Sequence, residues 1–233
     1  MTKVTLQTDG YKLAGNLFLP KGDLKGGFLF IQGWRGHQNL QAAQAVADLG
    51  YATLTYDMRG NGDSEGEIND FSRADFIHDA TVAYDYLREQ IGDDMQIGVV
   101  GSSFGGYTAS MLTTKRDVSC LSFRVPANYP DNGYDTPHAN YDHDAVKKWR
   151  TQPTTHSQNQ ALTAIHNFTG KIQIVEAGAD AVVHHQTPQN YADAVADKSK
   201  LQYEVMPDAP HNLATQALAD EYCDLLVTWV NLL

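Results

Sequence analysis

The sequence predicts an α/β fold: a mostly parallel central sheet with helices on both faces, entered through an antiparallel N-terminal hairpin. Three observations carry this. Two strand patterns, residues 3 to 8 and 12 to 19, flank a turn at Asp9-Gly10. Beyond them, apolar strands alternate with amphipathic helical stretches. One of those strands runs directly into Gly101-Ser102-Ser103-Phe104-Gly105 and then into a helix. At 233 residues the chain fits one large α/β domain, 1–233, better than two small ones.

The elements follow in order. Gly27 to Gln32 (GFLFIQ) is an apolar strand, and Gln38 to Leu49 a helix stopped by Gly50. Tyr51 to Tyr56 is the next strand. Phe76, Ala80, Ala83, Tyr84, Leu87 and Ile91 recur at helical spacing, which predicts a long helix from Arg73 to Ile91. Met95 to Val100 and Val118 to Val125 read as strands, with a helix from Phe104 to Thr114 between them. Lys171 to Ala177 and Leu201 to Met206 are two more strands, separated by a helix over 188–198. A final helix runs from Leu213 to Leu232. The segment 126–157 breaks this rhythm. It is rich in Tyr, Asn, Asp, Pro and His and lacks a long apolar face, so it reads as a short cap-like insertion after a strand's carboxyl end.

Composition narrows the partners. The formal net charge of −11 argues against a nucleic-acid partner and against docking on an anionic membrane. The first residues lack the apolar stretch of a leader or a membrane span. Two cysteines, Cys120 and Cys223, suit a reducing compartment, and the expected location is cytoplasmic. The oligomeric state stays open, a homo-oligomer included.

The chemistry centres on the pentapeptide. A serine on so tight a turn needs nearly side-chain-free neighbours two residues away on each side. Only Ser103 has Gly at both places, so Ser103 rather than Ser102 is the expected nucleophile. A serine hydroxyl needs a base, usually a histidine held by a carboxylate, in the chain order Ser, acid, His. Asp180 lies in a tight loop after the strand ending Ile172-Gln173-Ile174-Val175-Glu176. Glu176 is the rival acid, nearer the strand itself. His211 follows the last strand, in a loop stiffened by Pro207 and Pro210. Oxyanion donors are expected from the backbone N–H of Phe104 and of Trp34, in Gln32-Gly33-Trp34-Arg35-Gly36. The histidine and aspartate groups at 184–185 and 138–144 lack a zinc signature, so no metal and no cofactor is expected.

With these parts in order, the whole chain resembles the α/β-hydrolase superfamily. Tyr56-Asp57-Met58-Arg59-Gly60-Asn61-Gly62-Asp63-Ser64 is similar to that family's D-x-R-G-x-G-x-S turn. The resemblance implies bracing roles for Asp57 and Arg59. Within the superfamily the chain looks closest to small serine esterases of the dienelactone hydrolase-like and cinnamoyl or acetyl esterase type. Two departures stand out. The common H-G of the oxyanion loop is Gln32-Gly33 here, and the elbow carries serine where dienelactone hydrolases carry cysteine. The resemblance implies a serine hydrolase acting on small soluble carboxylic esters through the triad Ser103, Asp180, His211.

A peptidase or amidase, or an acyltransferase, would use the same triad. A non-catalytic ligand-binding protein on this scaffold is the alternative of another class. For the substrate, Arg35 and Arg124 suggest an anionic group, unless each pairs with an acidic neighbour. Tyr129 and Tyr134, in the insertion, suit a polar or aromatic one.

Overall fold

The hairpin turns as its sequence predicts. Asp9 and Gly10 both have positive φ, 44° and 84°, the conformation a two-residue turn needs to match the twist of its strands. The turn joins β1 (Thr2–Thr8) to β2 (Tyr11–Phe18). The computed structural model describes residues 1–233. Its remaining strands are β3 (Gly26–Ile31), β4 (Tyr51–Tyr56), β5 (Ile97–Ser102), β6 (Cys120–Arg124), β7 (Lys171–Ala177) and β8 (Leu201–Met206). They form one 8-stranded sheet in the order β1-β2-β4-β3-β5-β6-β7-β8. Pairing is antiparallel from β1 through β2 to β4 and parallel from β4 onward. No helix is long and apolar enough to cross a membrane.

The helices divide between two faces. α1 (Leu40–Asp48) and α7 (Gln216–Val230) cover one, packing Val46, Tyr222, Leu226 and Trp229 against Phe28, Phe30 and Val175. α2 (Arg73–Ile91), α3 (Phe104–Leu112), α5 (Gln160–Asn167) and α6 (Gln186–Ala194) cover the other, over Leu29, Val99, Phe123 and Ile174. Alternate residues of the central strands β3 and β7 thus enter alternate cores, which burial on both faces requires.

Several elements differ from the expectation. Residues 126–157 hold a helix, α4 (His143–Trp149), started by Asp142, whose side chain accepts from Ala145 N–H at 2.9 Å. α5 was not anticipated, although Asn159 caps it and Ala161, Leu162 and Ile165 bury one stripe. α6 ends at Ala194 because Val195 turns extended, and 198–200 form a separate short turn capped by Asp197. α7 starts at Gln216, where Thr215 caps it. β5 begins later than predicted and continues through Ser102.

The topology selects one edge of the sheet. The chain leaves β3 to form β4 on one side, then crosses to form β5 on the other. The carboxyl ends of β3 and β5 therefore flank a crevice where no crossover connection lies, the usual ligand position in open α/β sheets.

Candidate active site

Ser103 sits at that crevice, between β5 and α3, with φ 52° and ψ −115°. A non-glycine residue in this region is strained, and the surroundings hold it there. Its N–H donates to Arg124 O at 2.9 Å, and its carbonyl accepts from Gly106 and Ala127 N–H, both at 2.9 Å. The flanking glycines are sterically required. A Cβ on Gly101 would lie 2.4 Å from Gly105 O, and one on Gly105 would lie 2.1 Å from Ile31 O. Gly33 faces the nucleophile candidate directly, since a Cβ there would lie 3.2 Å from Ser103 Cβ.

The predicted acid and base meet. His211 Nδ1 and Asp180 Oδ2 are 2.7 Å apart. The other Asp180 oxygen accepts from Val182 N–H at 2.7 Å and Val183 N–H at 2.9 Å. Burial pushes this carboxyl up, but the His211 bond and the two N–H bonds outweigh it and hold the pKa below the ordinary carboxylate value. The loops are stitched together: Gly178 N–H donates to Met206 O (2.8 Å), and Ala179 N–H to Ala209 O (3.0 Å). Glu176, the rival acid, points elsewhere. Its carboxylate contacts His185 Nδ1 at 2.5 Å and takes the Tyr203 hydroxyl. Ser103 Oγ and His211 line one cavity of about 1000 Å³, and no hydrogen bond joins them. Such contacts commonly tighten only with substrate bound.

The loop after β3 supplies donors. Gly36 N–H closes a turn on Gly33 O at 2.9 Å, with Arg35 at φ 53°. Trp34 N–H has no acceptor in the chain, and Phe104 N–H opens α3 with no intrahelical partner. Asn61 Nδ2 donates to Gly36 O at 2.7 Å, so the turn at 57–64 braces this loop. Asp57 holds that turn by accepting from Asp63 N–H at 3.1 Å. Arg59 is buried and hydrogen-bonded to Asp79, Nε to Oδ2 at 2.8 Å.

The residues expected to touch substrate separate. Arg35, Arg124 and Tyr129 line the cavity. Tyr134 does not: its ring packs against the α2–α3 side of the core and its carbonyl accepts from Ala74 N–H. The two arginines do not pair with acids. Arg124 Nε donates to Ser102 Oγ at 3.1 Å and Nη1 to His211 O at 2.7 Å. Arg35 takes part in no ion pair; the chain's ion pairs involve Lys12, Arg59, His78, Arg116, His185 and His211.

Sequence reading missed two contributors. His138, from the insertion, stacks on Trp34 with ring centroids 3.8 Å apart. Burial, then the neighbouring His143 and Arg35, lower its pKa to about 4, so it is neutral at pH 7. Gln32 is 6% exposed, and neither atom of its amide has a hydrogen-bond partner. The only sequence signal for Gln32 was its departure from the common H-G.

Comparison with known proteins decides the family. A family model described as X-Pro dipeptidyl-peptidase (S15 family) matches residues 9–220. The chain belongs to the S15 peptidase family. Solved structures show where this S15 chain stands among α/β hydrolases. Est1E from Butyrivibrio proteoclasticus with ferulic acid bound superposes with a TM-score of 0.72 at 20% identity, covering 97% of this chain and 96% of that one. An alpha-beta serine hydrolase homologue from Coxiella burnetii gives 0.71 at 17%, covering 97% and 96%. A Xanthomonas campestris a/b serine hydrolase without lid gives 0.68 at 18%, covering 99% and 93%. These likenesses establish the α/β-hydrolase fold. An Escherichia coli relative, an uncharacterized 31.7 kDa protein in the traX-finO intergenic region, is 29% identical over 109 residues. That match spans 44% of this chain and 38% of the relative's length.

Proposed function

We propose that this S15-family chain is a serine hydrolase that cleaves carboxylic esters of small molecules through an acyl-enzyme on Ser103. The observation that carries the reading is the 2.7 Å contact of Asp180 with His211, which lines the cavity that holds Ser103 on its strained turn. His211 takes the hydroxyl proton as Ser103 Oγ bonds to the ester carbonyl carbon, and the carbonyl electron pair moves to oxygen. The N–H groups of Trp34 and Phe104 receive that oxyanion, each contributing on the order of 3 kcal/mol to lowering the barrier. The bond to the alcohol oxygen then breaks, and His211 hands its proton to the departing alcohol. Water repeats the sequence and frees the acid. Asp180 keeps the Nδ1–H tautomer, so Nε2 is the base. Residues 126–157 roof the cavity. No metal or organic cofactor enters the scheme, and two buried unpaired thiols fit a cytoplasmic setting.

The family description favours a second reading, release of X-Pro dipeptides from peptide amino termini. A dipeptidyl-peptidase acts at a free peptide amino terminus, a cation at neutral pH. Arg35, Arg73, Arg124, Lys147 and Arg150 line the cavity here, and no Asp or Glu does. Such a wall repels an ammonium group, so the ester reading is preferred. The test is labelling by a fluorophosphonate probe together with turnover of short nitrophenyl esters and their amide counterparts. Ser103→Ala should abolish labelling and reduce ester turnover by at least about 10³-fold. Amide turnover exceeding ester turnover would instead favour the peptidase.

A further inference from the structure

The cavity's charge opposes that of the chain. The whole sequence carries −11, yet the wall around Ser103 is cationic and has no carboxylate. Within it one group is built for more than a general field. Parallel register places Ile31 beside Gly101 and Ser102 beside Arg124. Gln32 directly follows Ile31, the last residue of β3, and lines the same cavity. Ser102 and Arg124 thus form a polar row across β5 and β6, about 5 Å apart, and Gln32 lies just past the end of the adjoining strand β3. They continue the face of Phe30 and Val100, beneath the ring of Tyr222, which lies 5.8 Å from the Arg124 guanidinium.

The row has unspent donors. An arginine carries five N–H groups, and Arg124 directs one to Ser102 and one to His211 O. The rest have no acceptor in the chain. The Gln32 amide, buried at the end of β3 in the same cavity wall, has no partner at all. A partly buried guanidinium without an ion pair and a buried amide without partners both carry a cost that a group in the cavity can offset. A carboxylate does so: it has about four acceptor positions and matches the planar guanidinium fork.

We propose that Arg124 and Gln32 form a carboxylate-binding subsite next to Ser103, making the substrates anionic esters. This rests on the serine-hydrolase reading. Ser102 immediately precedes the nucleophile, so a carboxylate held by its arginine partner lies a short chain away from the scissile carbonyl. Arg124 also grips the His211 backbone, so filling the subsite orders the base as the substrate binds.

The experiment compares ester pairs differing by one charge. Nitrophenyl hemisuccinate against nitrophenyl butyrate places the carboxylate on the acyl part. Acetoxybenzoate against phenyl acetate places it on the alcohol part. In at least one pair the charged ester should be preferred by about tenfold or more in kcat/KM. Arg124→Met should abolish that preference, and Gln32→Leu should reduce it. Equal use of both members of each pair by the wild type overturns the subsite. So does an Arg124→Met variant that slows both members by one factor, since that marks the arginine as a brace for His211 alone. Calorimetry with Ser103→Ala separates the subsite from the chemistry: the charged ester of the preferred pair should bind at least about tenfold tighter than its neutral partner. Equal binding there overturns the subsite even if hydrolysis is intact. Undiminished turnover by Ser103→Ala overturns the hydrolase reading instead.

Discussion

Asp180 shows how much a single carboxylate must be held. One oxygen takes two backbone N–H groups and the other faces His211, so the group is fixed from both sides. Asp180→Asn keeps the size but cannot hold the same imidazole tautomer. We expect kcat to drop on the order of 10⁴-fold with the fold retained, measured by steady-state turnover beside circular dichroism. The charged form also contributes to stability. Its folded pKa lies below the unfolded one, so that contribution is present above about pH 3.9 and is lost as pH falls through the folded value. The pairing of Asp180 with His211 was legible in the sequence because only one late histidine and one well-marked acid follow the elbow. Gln32 and Arg124 were harder, since a free amide or an unpaired guanidinium is a property of surroundings.

At the level of elements, residues 126–157 are a tied structure. Arg73 donates to Pro130 O (2.8 Å) and Asn132 O (2.6 Å), and Arg150 donates to Asn128 O (2.7 Å) while lying 4.2 Å over Tyr129. His138 then carries the segment onto Trp34, so the roof rests on the loop proposed to hold the oxyanion. Its low pKa has a sign. Between about pH 6.5 and about 4 the unfolded chain binds a proton that the folded chain refuses, so stability falls as pH is lowered across that window. His138→Phe keeps the stacking and removes the titration. The loss of Tm between pH 7 and pH 4.5 should be smaller in this variant, and an equal loss would show that other groups dominate. The sequence marks this segment as a cap-like insertion but does not show its helix, because the caps and short helix are too brief for a periodic signal and the anchors come from α2 and α6.

Over the whole molecule, one buried pair joins distant pieces. Arg59 is 2% exposed and Asp79 0%, and around them meet the β1–β2 hairpin, through Thr8 and Asp9, the turn at 57–64, and α2. That turn supports the Trp34 loop through Asn61. Asp79→Ala leaves the guanidinium buried and without its main partner, and should cost about 3–5 kcal/mol in chemical denaturation. A change under about 1 kcal/mol would mean that Asp9 and Asp75 replace it. The charge of the chain is likewise a global feature with a local exception, because the acidic surface surrounds a cationic cavity.

Periodicity and turn chemistry act locally, so the sequence by itself determined the hairpin, the alternation of strands and helices, and the elbow glycines. Chain order within that alternation determined which serine, acid and histidine to expect at one sheet edge. Only the tertiary structure decided that Tyr134 faces the core, that Glu176 turns to His185, and that Ser102 pairs with Arg124 in a cavity that Gln32 also lines. Those outcomes depend on strand register and on packing between segments far apart in the chain, and a linear sequence does not display either.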